Sequence, residues 1–325
     1  MAVSKTQFDV AVAGEINLDL VLDGIPDPMP AERELVASAF RVTLGSSAAI
    51  LAHNLSALGT RVGFASLAAK DEFAKLALRF LTDRNVDISG VRHSAGSSGS
   101  GVTVVVNHGT TRHILSYLGT TSEMRIGDLD LEHICAARHF HLSSLFLLKG
   151  MHKDLPDLFR KIRQRGLTIS LDTNDDPDDV WGGVLGDVLP FVDVLLPNER
   201  ELLRITDKSN ITEALTAMSG KVPLTVVKRG PLGAVVQKGR DRHNIPPIPV
   251  TPLDTIGAGD SFNAGFLACY VRGVSPERCA AVANVTGAIS TLKRGGIEAF
   301  RDDAFLRETA RRLAPDLPVL DLLFQ

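Results

Sequence analysis

The sequence predicts an α/β fold, with a mostly parallel sheet covered by helices on both faces and a separate small sheet inserted into it. Three observations carry this reading. From about residue 140 onward, short apolar runs alternate with helical stretches. The segments near 14–45 and 100–118 read instead as strands without intervening helices, which suits a small sheet of their own. No internal repeat or low-complexity linker breaks the 325 residues, so the small sheet is expected as an insertion on one domain spanning 1–325.

Phe8 to Ala13 (FDVAVA) is a short apolar run that reads as a buried first strand. Gly14 to Gly24 alternates polar and apolar residues, the mark of a half-exposed strand. Pro26, Pro28 and Pro30 interrupt the chain before another strand, Glu34 to Leu44. Ser47 to Leu58 turns alanine-rich and helical, with Gly59 as its stop. Val62 to Leu67 is expected as a strand and Glu72 to Arg84 as a helix. Gly101 to Asn107 and Arg112 to Leu118 form a hairpin candidate around His108-Gly109. Strands are then expected at 140–144, 167–171, 192–196, 224–228 and 233–238, and helices at 153–165, 199–205, 212–219, 260–271, 277–292 and 302–313.

The net charge of -3 gives no electrostatic case for nucleic acid or an anionic membrane as partner. Cys135, Cys269 and Cys279 form no CxxC pair, and an odd count argues against a disulfide framework, so a cytoplasmic location fits best. The start of the chain has no apolar stretch of signal-peptide length.

The strongest chemical signal runs from Asp254 to Phe266 (DTIGAGDSFNAGF). Small residues at Gly257, Ala258 and Gly259 permit tight backbone geometry and close approach of a ligand. Free N–H groups at the start of the following helix make an anion site, suited to charge developing on a transferring phosphoryl group. Asp260 falls in the first helical turn, where a carboxylate can accept a proton from an attacking hydroxyl. The plain alternative is a glycine-rich turn with Asp260 as a helix cap. The string is not a dinucleotide-binding fingerprint, because position 262 is Phe, nor a Walker A motif, because no Gly-Lys-Ser/Thr follows.

The longer pattern D-T-x-G-A-G-D-x-F-x-A-G-F resembles the C-terminal signature of the PfkB, or ribokinase-like, carbohydrate kinases. Residues 14–19 (GEINLD), 45–59 (GSSAAILAHNLSALG), 71–91, Pro197 to Glu201 (N-x-x-E) and 284–296 resemble further stretches of that family. The resemblance implies a doubly wound α/β domain with a small β-sheet lid over a sugar. It implies ATP as donor, Asp260 as general base and Gly257, Ala258 and Gly259 as anion hole. Asn17 and Asp19 would contact the sugar, as would the loop at Gly45, Ser46 and Ile50. Lys228, Gly230, Asn284 and Asn198 would attend the nucleotide. Asn198 and Glu201 would place Mg²⁺ through water, and Asp254 and Ile256 match positions that hold potassium in several relatives. A homodimer through the lid is also implied.

The sugar loop departs from the common pattern, since Ser46 stands where a second Gly is usual and Ile50 where an Asn is usual. That speaks against ribose itself, and Ile50 is expected as an apolar wall, with Asn54 a partial substitute for the lost amide. The acidic run Asp172, Asp175, Asp176, Asp178 and Asp179 reads as a solvated loop, except that Asp172 and Asn174 follow the carboxyl end of a strand, where α/β folds bind ligands. His139 and His141 read as packed or hydrogen-bonded. Arg112 on the lid reaches either a phosphate or sugar, or water. A nucleoside kinase is the alternative within this family, and a catalytically silent sugar- or nucleotide-binding protein the alternative outside it.

Overall fold

A computed structural model describes residues 6–109 and 111–324. Its first strand, β1 (Phe8–Ala13), is apolar except for Asp9, because helices cover both of its faces. Val10 and Val12 point into one core and Ala11 and Ala13 into the other. β2 (Asn17–Asp23) and β3 (Ala39–Leu44) leave this sheet. β4 (Val62–Ala68) and β5 (Asp87–His93) return to it, and β6 (Gly101–His108) and β7 (Thr111–Tyr117) leave it again. The remaining strands are β8 (Ala137–Leu142), β9 (Thr168–Leu171), β10 (Val194–Leu195), β11 (Leu224–Lys228), β12 (Ala234–Lys238) and β13 (Asp241–Ile245).

The nine-stranded sheet has the order β13-β12-β11-β10-β9-β8-β1-β4-β5. It is parallel from β5 to β11 and antiparallel at its β11-β12-β13 edge. Strand order reverses at β1, and in such doubly wound sheets ligands bind beyond the carboxyl ends of the strands at the reversal. The second sheet, β3-β2-β6-β7, is the lid. Its register sets Asn17 beside Gly101 and Asp19 beside Thr103.

Three readings of the sequence are corrected here. β5 and β13 form strands where none was expected, because their mostly exposed edge positions carry too weak an alternation to stand out. The strand expected over 34–44 is confined to β3, since only that stretch finds a partner in β2. Of the acidic run read as solvated, Asp176 is buried; Asp172, set apart from that run, is buried as well. Asp176 accepts from the N–H groups of Asp178, Val180 and Trp181 and so folds the loop around itself.

His139 and His141 lie inside the sheet in a ladder of hydroxyls formed by Thr168, Ser170 and Ser143, at 2.7 to 2.9 Å. Burial lowers both imidazoles to about 3, so they sit neutral in the fold. No helix among the described residues is long and apolar enough to cross a membrane. The apolar end of the chain forms a helical turn, Pro318–Leu323, that buries Val319, Leu320 and Leu323 in the core shared with the helix Ala258–Tyr270. Leu320→Ala is expected to cost about 2–5 kcal/mol through the cavity it leaves. An unchanged urea midpoint would show that the tail does not stabilise the fold.

Candidate active site

The helix Ala258–Tyr270 begins without a side-chain cap, whereas Ser46, Asp71, Asn198, Asn210 and Asp302 each cap the helix that follows them. The Ala258 N–H donates to the Thr255 carbonyl at 3.3 Å, and those of Gly259 and Asp260 are left for an anion. Gly257 is required at its start: φ is +70°, and a Cβ there would lie 2.6 Å from Gly296 Cα. Ala258 and Gly259 open the first turn and Asp260 completes it. The Asp260 carboxyl is pushed up to about 7, first by burial and then by the negative charge of Asp172, against the pull of Lys228 and the Ser47 hydroxyl. A base with this pKa is poised near neutral pH.

Lys228, at the end of β11, reaches under this turn. A Cβ on Gly259 would lie 3.8 Å from its Nζ. The ammonium donates to Asp172 Oδ2 at 2.6 Å and lies 3.4 Å from Asn263 Oδ1. Burial pulls the Lys228 pKa down, but Asp172 and Glu201 more than offset it and the net shift is upward. Asn198 and Glu201 form a reciprocal cap: the Glu201 N–H donates to Asn198 Oδ1 and the Asn198 N–H to Glu201 Oε2, both at 2.8 Å. Burial, then Asp172, pushes Glu201 up to about 7.

A cavity of about 300 Å³ lies between the helix start and the lid. Asp260, Gly257, Asn17, Asp19, Ser46 and Ile50 all line it. Gly45 is needed behind them, since a Cβ would come within 2.1 Å of Asp19 Oδ1 and 2.4 Å of Asn17 Oδ1. Asp19 is pushed up to about 7 by burial and by nearby Asp254. Ile50 is only 3% exposed and packs beneath Gly257 and Gly296, so it supports the turn as well as walling the cavity. Asn54 is fully occupied elsewhere, donating to Ser261 Oγ and to the Gly296 carbonyl at 3.0 Å each, and does not replace the missing amide.

Glu15 is the residue that sequence reasoning passed over. Its Oε1 accepts from the Ser47 N–H at 3.0 Å and from Ser144 Oγ at 2.7 Å. Its Oε2 is buried without a partner among the described residues, and so is Asn17 Oδ1. Both residues line the cavity. A ligand there must bring hydrogen-bond donors, because unpaired buried acceptors are costly. Asn174 completes the ring: its amide donates to Ser144 Oγ at 2.9 Å and to Ser47 Oγ. An acidic residue directly after an apolar first strand, at its carboxyl end, was the available signal.

Toward the other side of the helix, Gly230 begins an exposed turn after β11, and Asn284 donates to the Pro246 carbonyl at 2.7 Å, holding the loop after β13. Asp254 accepts from the N–H groups of Ile256 and Gly295, each at 3.0 Å, and so closes the loop in which Ile256 lies.

This fold belongs to a known class of phosphotransferase. The ribokinase of Arabidopsis thaliana, solved with ribose and ATP, superposes with a TM-score of 0.79 at 22% identity, over 94% of this chain and 99% of that one. Residues 7–303 match the family described as pfkB family carbohydrate kinase, and the chain belongs to that family. An ATP-dependent ribose-1-phosphate kinase of Halopiger xanaduensis is 29% identical over 311 residues, 91% of this chain and 96% of that protein. A cytidine kinase of Thermococcus kodakarensis is 28% identical over 283 residues, 84% and 92% respectively.

An ionised Asp260 is held at a cost to the fold, because its pKa is higher folded than unfolded. That cost is absent below about pH 4 and complete above about pH 7. Asp260→Asn is therefore expected to be more stable than the parent above pH 7, by roughly 2 kcal/mol after screening by cavity water, and no more stable near pH 4. Equal denaturation midpoints at both pH values would contradict this. Gly45→Ala is expected to weaken acceptor binding at least ten-fold, read as KM, because the methyl occupies the space of the Asn17 and Asp19 Oδ1 atoms.

Proposed function

We propose that this carbohydrate kinase transfers the γ-phosphoryl group of ATP to a hydroxyl of a sugar, with Asp260 as general base. The observation that carries this is the joint placement of Asp260 in an uncapped helix turn and on the wall of a cavity that it shares with Asn17 and Asp19. The acceptor hydroxyl gives its proton to Asp260 as its oxygen bonds to the γ-phosphorus. The bond to the bridging oxygen breaks and ADP leaves. The turn of Gly257, Ala258 and Gly259 is the anion hole and offers its unpaired backbone N–H groups to the equatorial oxygens, the Ala258 N–H being shared with the Thr255 carbonyl, in chemistry that is mostly positioning and charge stabilisation. Lys228 adds a positive charge beneath the same turn.

Asn17, Asp19 and Ser46 hold the sugar, with Gly45 and Ile50 shaping the loop. The unpartnered oxygens of Glu15 and Asn17 favour a ligand rich in hydroxyl donors. Gly230 and Asn284 flank the nucleotide. No cluster of three metal-ligating side chains exists among the described residues. The donors near the phosphate site are the oxygens of Asn198, Glu201 and Asp172, a set that fits Mg²⁺ held largely through water and phosphate. When bound, that ion neutralises charge on the β- and γ-phosphates. Potassium, if used, would take carbonyl oxygens around Asp254 and Ile256, since the Asp254 carboxylate already accepts two backbone N–H groups. The exposed β7 edge, with Leu115 and Tyr117, supports dimerisation through the lid, and cysteines left free support a reducing cytoplasm. The cytidine kinase among the relatives keeps a nucleoside acceptor as the second reading.

The test is ADP release from Mg-ATP over a panel of sugars and nucleosides, with and without potassium. Turnover on a sugar that falls by at least a thousand-fold in Asp260→Asn, with ATP binding retained, is the expected result. Silence across the panel, or an unchanged kcat in that variant, would remove the assignment. The kcat/KM for the acceptor is expected to rise with pH through an acid limb near 7, because protonated Asp260 cannot accept a proton. A flat profile from pH 5 to 8 would exclude it as base.

A further inference from the structure

Asp260 has a neighbour without a role so far, Ser47, and the two belong to one hydrogen-bond network. Ser47 is the first residue of the helix Ser47–Ala57. A serine at a helix start is ordinarily a cap, but Ser46 already fills that place and accepts from the Ala49 N–H at 3.1 Å. The Ser47 hydroxyl is left for the cavity, which it lines together with Glu15, Ser144, Asn174 and Asp260. Its backbone is held in place, because the Ser47 N–H donates to Glu15 Oε1 at 3.0 Å.

Counting protons gives the direction of each bond. The Ser144 hydroxyl donates to Glu15 Oε1 at 2.7 Å and has no second proton to give. Asn174 lies 2.9 Å from the same hydroxyl, so it presents its amide N–H there and not its carbonyl oxygen. The amide also donates to Ser47 Oγ. Having accepted that N–H, the Ser47 hydroxyl keeps one proton, and its partner is the Asp260 carboxylate. One amide thus aims two hydroxyls, and each hydroxyl serves one carboxylate. Asn174 and Ser144 hold left-handed backbone, with φ of 53° and 57°, and strain of this kind collects at functional sites.

We propose that Ser47, aimed by Asn174, is a positioning residue for Asp260, holding one carboxylate oxygen so that the other faces the acceptor hydroxyl. The proton moved in the reaction passes from the acceptor to the free Asp260 oxygen and not to Ser47. The bond favours the ionised carboxylate, so its loss keeps Asp260 protonated to higher pH. The kinetic consequence rests on the reading of Asp260 as base; the contact itself does not.

Two readouts keep these apart. The Asp260 carboxyl is titrated directly by carbon NMR on the full chain labelled in aspartate, its signal assigned by its absence in Asp260→Asn. Ser47→Ala is expected to move that titration to higher pH. Asn174→Gly, which suits the left-handed φ, is expected to move it the same way by less, and Ser47→Thr, which keeps the hydroxyl, to leave it in place. With the acceptor found in the panel, Ser47→Ala is expected to lower kcat about ten-fold with KM little changed, and to carry the acid limb of kcat/KM upward with the titration. A titration and an acid limb that both stay at the parent position in Ser47→Ala would overturn the proposal. So would a raised KM with kcat and limb unchanged, which would make Ser47 a contact of the acceptor instead. Should Ser47→Ala fail to fold, Asn174→Gly decides by the same titration. A shifted titration in a chain without turnover keeps the contact and removes the kinase reading. Turnover that depends on Asp260, with the titration unmoved in both variants, keeps the kinase and removes Ser47.

Discussion

The site depends on one buried ion pair, Lys228 with Asp172. The lysine side chain is 12% exposed and the aspartate 1%. Around them stand Glu201 and Asp260, whose charges Lys228 also feels. With the lysine removed, several carboxylates would share a low-dielectric pocket without a cation, and losing one partner of a buried pair costs on the order of 3–5 kcal/mol. The carboxyls would respond by holding their protons, and a protonated Asp260 could not serve as the proposed base. The pair also has a mechanical role. It ties the carboxyl ends of β9 and β11 to the helix Ala258–Tyr270 through Asn263, so that the anion-binding turn and the strands that support it move together.

On the acceptor side the organising group is Glu15, and the cost appears in the backbone. Ser46, Ser144 and Asn174 all adopt left-handed conformations, with φ of 64°, 57° and 53°. Each such residue costs on the order of 1–3 kcal/mol and persists only where its surroundings enforce it. The enforcement is visible. Ser46 Oγ donates to the Glu15 carbonyl at 2.6 Å, and Ser144 Oγ donates to the Glu15 carboxylate. Asn174 donates to both Ser144 and Ser47. The ends of β1, β8 and β9 are thereby joined in one polar ring that faces the start of the helix Ala258–Tyr270. A rigid ring of this kind fixes the cavity wall relative to Asp260, and positioning is most of what phosphoryl transfer asks of a protein.

The lid contributes the remaining walls. Its base strand β2 enters directly from the end of β1, so Asn17 and Asp19 reach the cavity from the same turn that carries Glu15. β7 lies at the open edge, and its inward face changes from the apolar Ile114 to the cationic Arg112 within one alternation. The cavity is thus acidic at its floor and basic at its rim.

Much of this was legible in the chain. Periodicity located the parallel strands other than β5, the longer helices and the lid segments, because strands buried on both faces are continuously apolar and helices repeat every three to four residues. The local string from Asp254 to Phe266 determined the glycine turn and the place of Asp260 in the helix that follows, because a turn and a helix start are set by neighbours in sequence. The edge strands β5 and β13 escaped because exposed edges need little pattern, and the ladder of His139 and His141 showed only as two polar residues on an apolar strand. What tertiary structure alone decided was which residues meet. Ion pairing of Lys228 with Asp172 across 56 positions, the capture of Asn54 by Ser261 and Gly296, and the opening of Arg112 onto two cavities depend on strand order and register. These contacts arise where distant strand ends converge, and nothing in the neighbouring sequence of either partner encodes the other.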